Sequence, residues 1–315
     1  MPGRVGLDVL HFAMPSIRSL TDNLILESSG DDTILDVTLR ARVPHTHVCG
    51  GRARCSTCRV HVVEGLENLE PRTAEELKLS ETLKLPEDIR LACQTRTSGD
   101  IAIRRAVVDE LDIEIISQQF GDGSGASLGR DTEAAILFTD VVNYTEFAAA
   151  LPAYDVVHVL NRYYRSMNDI IEDNAGVISD VAGDGILALF GVLTERENAV
   201  MDAVISVRQM NEALGSFNKY LEQMFGWSFG IRAGIHFGGV IVGNFDTGRM
   251  RKVAAIGDAV NLASRIETAN KEFGTQLLIS QEAHRRVDSQ VETTPMEPTA
   301  LKGKEGEYVL HAVTL

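Results

Sequence analysis

The unbroken apolar run Ala134-Ala135-Ile136-Leu137-Phe138 has the length and composition of a central strand. It ends in Thr139-Asp140-Val141-Val142-Asn143-Tyr144-Thr145, which puts a carboxylate at the strand's end, where it can hold a metal. Val156, Val157, Leu160, Tyr163, Tyr164, Met167 and Ile171 then recur at helical spacing and predict an amphipathic helix whose stripe is core. Between Val177 and Gly191, two short apolar strands flank Gly183-Asp184-Gly185, predicting a hairpin with Asp184 at its tip. Asp258 to Asn270 reads as a helix with Asn261 and Arg265 one turn apart on one face. Asp109 to Phe120 fits neither period, and the stretch from Gly121 to Gly129 has flexible-linker composition, marking a domain boundary.

At 315 residues with 44% hydrophobic content, the chain can build a core in each of two domains. A net charge of −15 argues against a nucleic-acid partner. No apolar run is long enough for a membrane span, and Met1 to Leu20 lacks the basic start and apolar core of a signal peptide. The expectation is a cytoplasmic protein.

All four cysteines, Cys49, Cys55, Cys58 and Cys93, form one pattern: three in a tight loop and one distant. That is the ligand supply a [2Fe-2S] cluster needs. Four-cysteine zinc is the alternative, although structural zinc usually takes paired Cys-x2-Cys knuckles and one such pair occurs here. Disulfides would require export. His45 and His47 just before Cys49 read as ordinary loop residues. Arg52, Arg54 and Arg59 crowd the loop, and their charge would favour a reduced cluster. Residues 20 to 105 resemble the [2Fe-2S] ferredoxin family, with a strand near Asn23 to Glu27, a helical stretch Thr33 to Arg42, the loop, Arg59 to Val63, and Arg90-Leu91-Ala92-Cys93-Gln94. The loop spacing is similar to the adrenodoxin-type branch.

Residues 134 to 313 resemble the class III nucleotide cyclase catalytic domain. Phe138-Thr139-Asp140, Gly183-Asp184, Gly257-Asp258-Ala259-Val260-Asn261-Leu262-Ala263-Ser264-Arg265 and Leu301-Lys302-Gly303-Lys304 occur in the family's order. The two resemblances imply an α+β chain of two domains: an N-terminal β-grasp, ferredoxin-like domain over 20–108 and a C-terminal cyclase domain, a βαβ sandwich, over 134–315. An extension (1–19) and a linker (109–133) complete the chain.

The cyclase resemblance implies that Asp140, Asp184 and the Val141 carbonyl hold two Mg²⁺ or Mn²⁺ ions per site. It implies that Asn261 orients the ribose, that Arg265 stabilises the transition-state phosphate, and that Lys302, with Lys304 close by, binds the leaving phosphates. The backbone amides of Asn143, Tyr144 and Thr145 would cradle phosphate oxygens. Metal and Asn/Arg residues meet across a head-to-tail homodimer in this family.

The base pocket departs from the family. Adenylate cyclases usually carry Lys three residues before the hairpin glycine and Asp or Thr seven before the asparagine; Asp180 and Ala254 stand there. Guanylate cyclases carry an acidic residue at the first position. ATP is the expected substrate on family grounds, with GTP second, since a carboxylate accepts from guanine's N1–H and 2-amino group. The cluster is expected to sense a redox partner or small oxidant and to bias the cyclase. A redox or electron-transfer protein that uses a degenerate cyclase domain as a dimerisation scaffold is the other reading.

Overall fold

A computed structural model of the chain describes residues 14–106, 129–193, 198–246 and 251–315; for 244–246, 251 and 252 the backbone alone is described. Residues 1–13 of the expected extension and 107–128 of the expected boundary region lie outside these. The chain divides into two compact units, Met1–Gly129 and Arg130–Leu315.

In the first unit, β1 (Ser16–Ser19), β2 (Leu24–Glu27), β3 (Arg59–Glu64), β4 (Ile89–Leu91) and β5 (Ile101–Arg105) form a sheet in the order β2-β1-β5-β3-β4. β1 and β5 are parallel and the other pairs antiparallel. Helices α1 (Ile34–Arg40) and α2 (Ala74–Leu83) complete it. α1 begins where a capping box dictates: the Thr33 hydroxyl accepts from the Asp36 amide, and the Asp36 carboxylate accepts from the Thr33 amide. Ile17, Ile34, Val37, Val60, Leu91 and Ile103 form the core.

The second unit's sheet runs β12 (Thr293–Pro295), β13 (Leu310–Val313), β11 (Leu277–Ser280), β9 (Gly230–Asp246), β6 (Arg130–Val142), β8 (Gly185–Phe190) and β7 (Gly176–Ala182), with β10 (Arg251–Ile256) paired to the far end of β9. Helices α3 (Tyr144–Ala150), α4 (Ala153–Asp173), α5 (Ala199–Phe225), α6 (Asp258–Phe273) and α7 (Gln281–Val287) accompany it.

β6 is central and covered on both sides. Ala135, Leu137 and Val141 pack into one core with α4 and α5, while Ala134 and Ile136 pack with Ala259 and Ala263 of α6. Burial on both faces is why the run shows no alternation. β6 starts at Arg130, four residues before the apolar run, because its first residues already pair with β9. On α4 the buried set is Val156, Val159, Tyr163, Met167 and Ile171. Val157 is a correction, since it lies 54% exposed, one position off the stripe that Val159 occupies instead.

Candidate functional site

The cysteine loop of the first unit is shaped by three left-handed residues, Gly50 (φ +67°), Gly51 (φ +80°) and Ala53 (φ +51°). They turn backbone amides inward. Those of Arg52, Arg54 and Cys55 donate to the Cys49 thiol, and that of Ala53 to Cys93. The thiols associate in two pairs: a hydrogen bond with Cys55 pulls Cys49 down to about 5, and one with Cys58 pulls Cys93 down to about 7, while Cys55 and Cys58 are pushed up. Among the described residues no three His, Cys, Asp or Glu groups are arranged to hold one metal ion. Two thiol pairs under converging amides fit a two-iron cluster, which takes two thiolates per iron, better than a single zinc. Arg52, Arg54 and Arg59 are exposed around this loop.

His45 departs from the ordinary loop role expected of it. It is 2% exposed, its Nε2 donates to the Cys58 carbonyl (3.2 Å), and its Nδ1 lies 2.9 Å from the Thr38 hydroxyl. Burial first, then the charge of Arg105, pushes it down to about 4, so the imidazole is neutral. The segment carrying Cys93 is clamped by a second buried group that the sequence reading passed over. Glu76, 0% exposed, accepts from Arg90 Nε and Nη2 (3.0 and 2.9 Å) and from the Leu91 amide (2.7 Å).

In the second unit, Asp140 stands near the end of β6 and Asp184 in the β7–β8 turn, next to Gly183 in the left-handed region (φ +63°). The Val141 amide donates to Asp184 (3.1 Å). Burial first, then hydrogen bonding and repulsion from Asp140, pushes Asp184 up to about 6. Two facing carboxylates in a partly desolvated turn fit divalent cations, which would relieve that repulsion.

Asp140 also faces cations that motif reading missed. Arg232, its cross-strand partner on β9, approaches to 3.5 Å, and Lys271 on α6 to 3.7 Å. The available signal was register: β6 and β9 pair along their length, which puts any charge on β9 opposite Asp140 beside the site.

Asn143, left-handed (φ 64°), precedes the seven-residue α3 and makes no side-chain cap, so the Tyr144 and Thr145 amides are not claimed by a capping side chain. On α6, Asn261 and Arg265 share the exposed face with Asp258, as the spacing predicts. Among the described residues of one chain, neither makes a hydrogen bond or ion pair with Asp140 or Asp184. Lys304 is engaged, its ammonium donating to the carboxylate and carbonyl of Asp258, while Lys302 is exposed on the same loop.

Near the expected base pocket, β7 carries an irregularity between Ile178 and Asp180. The displaced Ser179 is buried and donates to the Val253 carbonyl (3.0 Å), tying β7 to β10 beside Ala254. Asp180 Oδ1 accepts from the Val181 amide (2.8 Å).

Comparison with known proteins decides what these constellations belong to. The family model described as the adenylate and guanylate cyclase catalytic domain matches residues 128–313. The chain belongs to that family. A 2Fe-2S iron-sulfur cluster binding domain matches residues 21–98, so this cyclase-family chain carries an N-terminal iron-sulfur unit. An adenylate cyclase of Anabaena cylindrica is 30% identical over 179 residues, 56% of this chain and 35% of that protein. Adenylate cyclase 1 of Rhizobium meliloti is matched over 27% of its length, so the chain spans about a third or less of these curated relatives. The adenylyl cyclase CyaB from P. aeruginosa aligns with a TM-score of 0.54 at 25% identity, over 59% of this chain and 95% of that one. The guanylyl cyclase Cya2 aligns at 0.55 and 29%, over 59% and 93%. No helix among the described residues is long and apolar enough to cross a membrane.

Proposed function

We propose that the chain is a purine nucleotide cyclase that converts ATP to 3′,5′-cyclic AMP and pyrophosphate and is regulated by a [2Fe-2S] cluster held by Cys49, Cys55, Cys58 and Cys93. The observation that carries the catalytic reading is the facing pair Asp140 and Asp184 beside Arg232 and Lys271, with the Asp184 carboxyl pushed up by burial first and then by Asp140.

Asp140, Asp184 and the Val141 carbonyl would hold two Mg²⁺ or Mn²⁺ ions, which when bound lower the pKa of the ribose 3′ hydroxyl and neutralise the triphosphate. The chain's own groups orient and stabilise. Asn261 holds the ribose so that its 3′ oxygen faces the α-phosphorus, and Arg265 meets the charge that builds on the phosphate as pyrophosphate leaves. Lys302, the exposed lysine of its loop, receives the leaving phosphates, as do the amides of Asn143, Tyr144 and Thr145. Asn261 and Arg265 face solvent and bond to neither aspartate of their own chain, which supports a head-to-tail homodimer with two composite sites.

ATP is favoured by the adenylate cyclases among the relatives. GTP is the second reading, favoured by the Asp180 carboxylate and the likeness to a guanylyl cyclase. The test is cyclic nucleotide production by anaerobically purified protein with Mn²⁺ and either ATP or GTP, before and after chemical reduction of the cluster. Activity that changes with cluster state on one nucleotide is the expected result. Activity indifferent to the cluster refutes its regulatory role, and no product from either nucleotide refutes the cyclase assignment.

A further inference from the structure

Ser179 is an extra residue in β7. Ile178 pairs with Ala188 and Asp180 with Leu187, so the strand carries between them one residue that β8 does not answer. The insertion decides which face Asp180 takes. In strict alternation Asp180 would share the side of Ile178, which packs with Ala188 in the core that α4 and α5 cover. Instead it lies opposite Leu187, which packs with Ala259 and Ala263 of α6. Asp180 is thereby turned to the face of the sheet on which α6 carries Asn261 and Arg265.

The bulge is fastened by its own side chain. Ser179 is 3% exposed, and its hydroxyl donates to the Val253 carbonyl of β10 at 3.0 Å. Among the described residues β7 ladders with β8 and β10 with β9, so this bond crosses between two strands that no backbone ladder joins. Its two ends adjoin the two expected base positions, since Asp180 follows Ser179 and Ala254 follows Val253. The Asp180 carboxylate is itself oriented, with Oδ1 accepting from the Val181 amide (2.8 Å). Purines differ in which edge atoms donate and which accept, and a misdirected hydrogen bond weakens steeply. The spacing of the two positions therefore matters as much as their identity.

We propose that Ser179 is a positioning residue for base selection: by tying the β7 bulge to β10 it fixes the separation of Asp180 and Ala254, and with it how sharply the site separates ATP from GTP. Ala254 brings no polar side chain to the base, so the placement of the Asp180 carboxylate against the β10 backbone carries the discrimination. This deepens the cyclase reading and rests on it, since the base belongs to the substrate of that reaction.

The test uses the full chain, purified anaerobically, with Mn²⁺, and reads kcat/KM for ATP and for GTP separately by product chromatography, alongside thermal melts. Ser179→Ala removes the hydroxyl and should bring the ratio of the two values about fivefold closer to one, the effect of one net hydrogen bond. The loss should fall on the favoured nucleotide and in KM more than in kcat, because the reacting α-phosphorus is remote from the base. Ser179→Thr keeps the donor and should keep the ratio. In an Asp180→Ala background, Ser179→Ala should move the ratio no further, since the group it positions is gone. A merely structural hydroxyl would lower both nucleotides alike. Equal losses on ATP and GTP, a ratio unchanged in Ser179→Ala, additive shifts with Asp180→Ala, or a shift as large in Ser179→Thr would each overturn the positioning role and leave the cyclase reading standing, as would an unaltered chain that takes both nucleotides without preference. No product from either nucleotide would overturn both.

Discussion

Replacing Asp184 with asparagine should stabilise the metal-free protein while abolishing its response to metal. The folded carboxyl sits at about 6 against an ordinary 3.8, so the folded chain holds this proton more tightly than the unfolded chain does. Below pH 3.8 both states are protonated and the site costs nothing. As pH rises toward 6 the unfolded state ionises freely while the folded state resists, so stability falls across that window and stays lower above it. A displacement of about 2 units corresponds to about 3 kcal/mol at 1.36 kcal/mol per unit. Asp184 is partly exposed, and solvent screening reduces this to roughly 1–2 kcal/mol. The substituted side chain would remain neutral and still accept from the Val141 amide, so Asp184→Asn should raise the chelated second unit's melting temperature by about 2–6 °C at pH 7.5. The gain should vanish near pH 4. Glu267, pushed up to about 7 chiefly by burial, titrates in both proteins and drops out of the difference. Saturating Mn²⁺ should raise the melting temperature of the unaltered chain and leave the variant unmoved. A variant that melts at or below the unaltered chain at pH 7.5, or a gain undiminished at pH 4, would refute the reasoning.

Gly234→Ala should cost about 3 kcal/mol or more, because its methyl would meet the Glu267 nitrogen at 2.2 Å and lift α6 from β9; a denaturant midpoint equal to that of the unaltered chain would contradict this. Glu76→Gln should destabilise the first unit by roughly 3–5 kcal/mol by leaving Arg90 buried and uncompensated, read as a lower melting transition with faster loss of the cluster's visible absorbance. Asp140→Ala and Arg265→Ala should each be inactive alone and regain activity when mixed, since a heterodimer carries one intact composite site; silence on mixing counts against shared sites. Asp180→Lys combined with Ala254→Thr should raise the ATP-over-GTP ratio of kcat/KM by about tenfold, measured by product chromatography.

What the sequence disclosed and what it withheld divide along a physical line. The places of Asp140, Asp184, Asn261 and Arg265 in the fold were legible because each is tied to a local pattern: a strand end, a hairpin turn, or a helical repeat. The iron-sulfur domain was legible because the spacing of the four cysteines is a ligand pattern in itself. Arg232, Glu267 and Lys271 were not visible, since what brings them to Asp140 is the register between β6 and β9 and the approach of α6 at Gly234. His45 and Glu76 were missed for the same reason, since their burial depends on segments distant in sequence, and a polar residue in a loop or helix carries no mark of being enclosed. The misplacement of Val157 was an error of phase within a correct helix. These omissions share a location behind the reactive groups, where a charge is costly unless another element meets it, so tertiary register decides which polar residues can be kept. On that argument the motifs name the groups that would touch substrate, and the pairings between strands and helices name the ones that aim them.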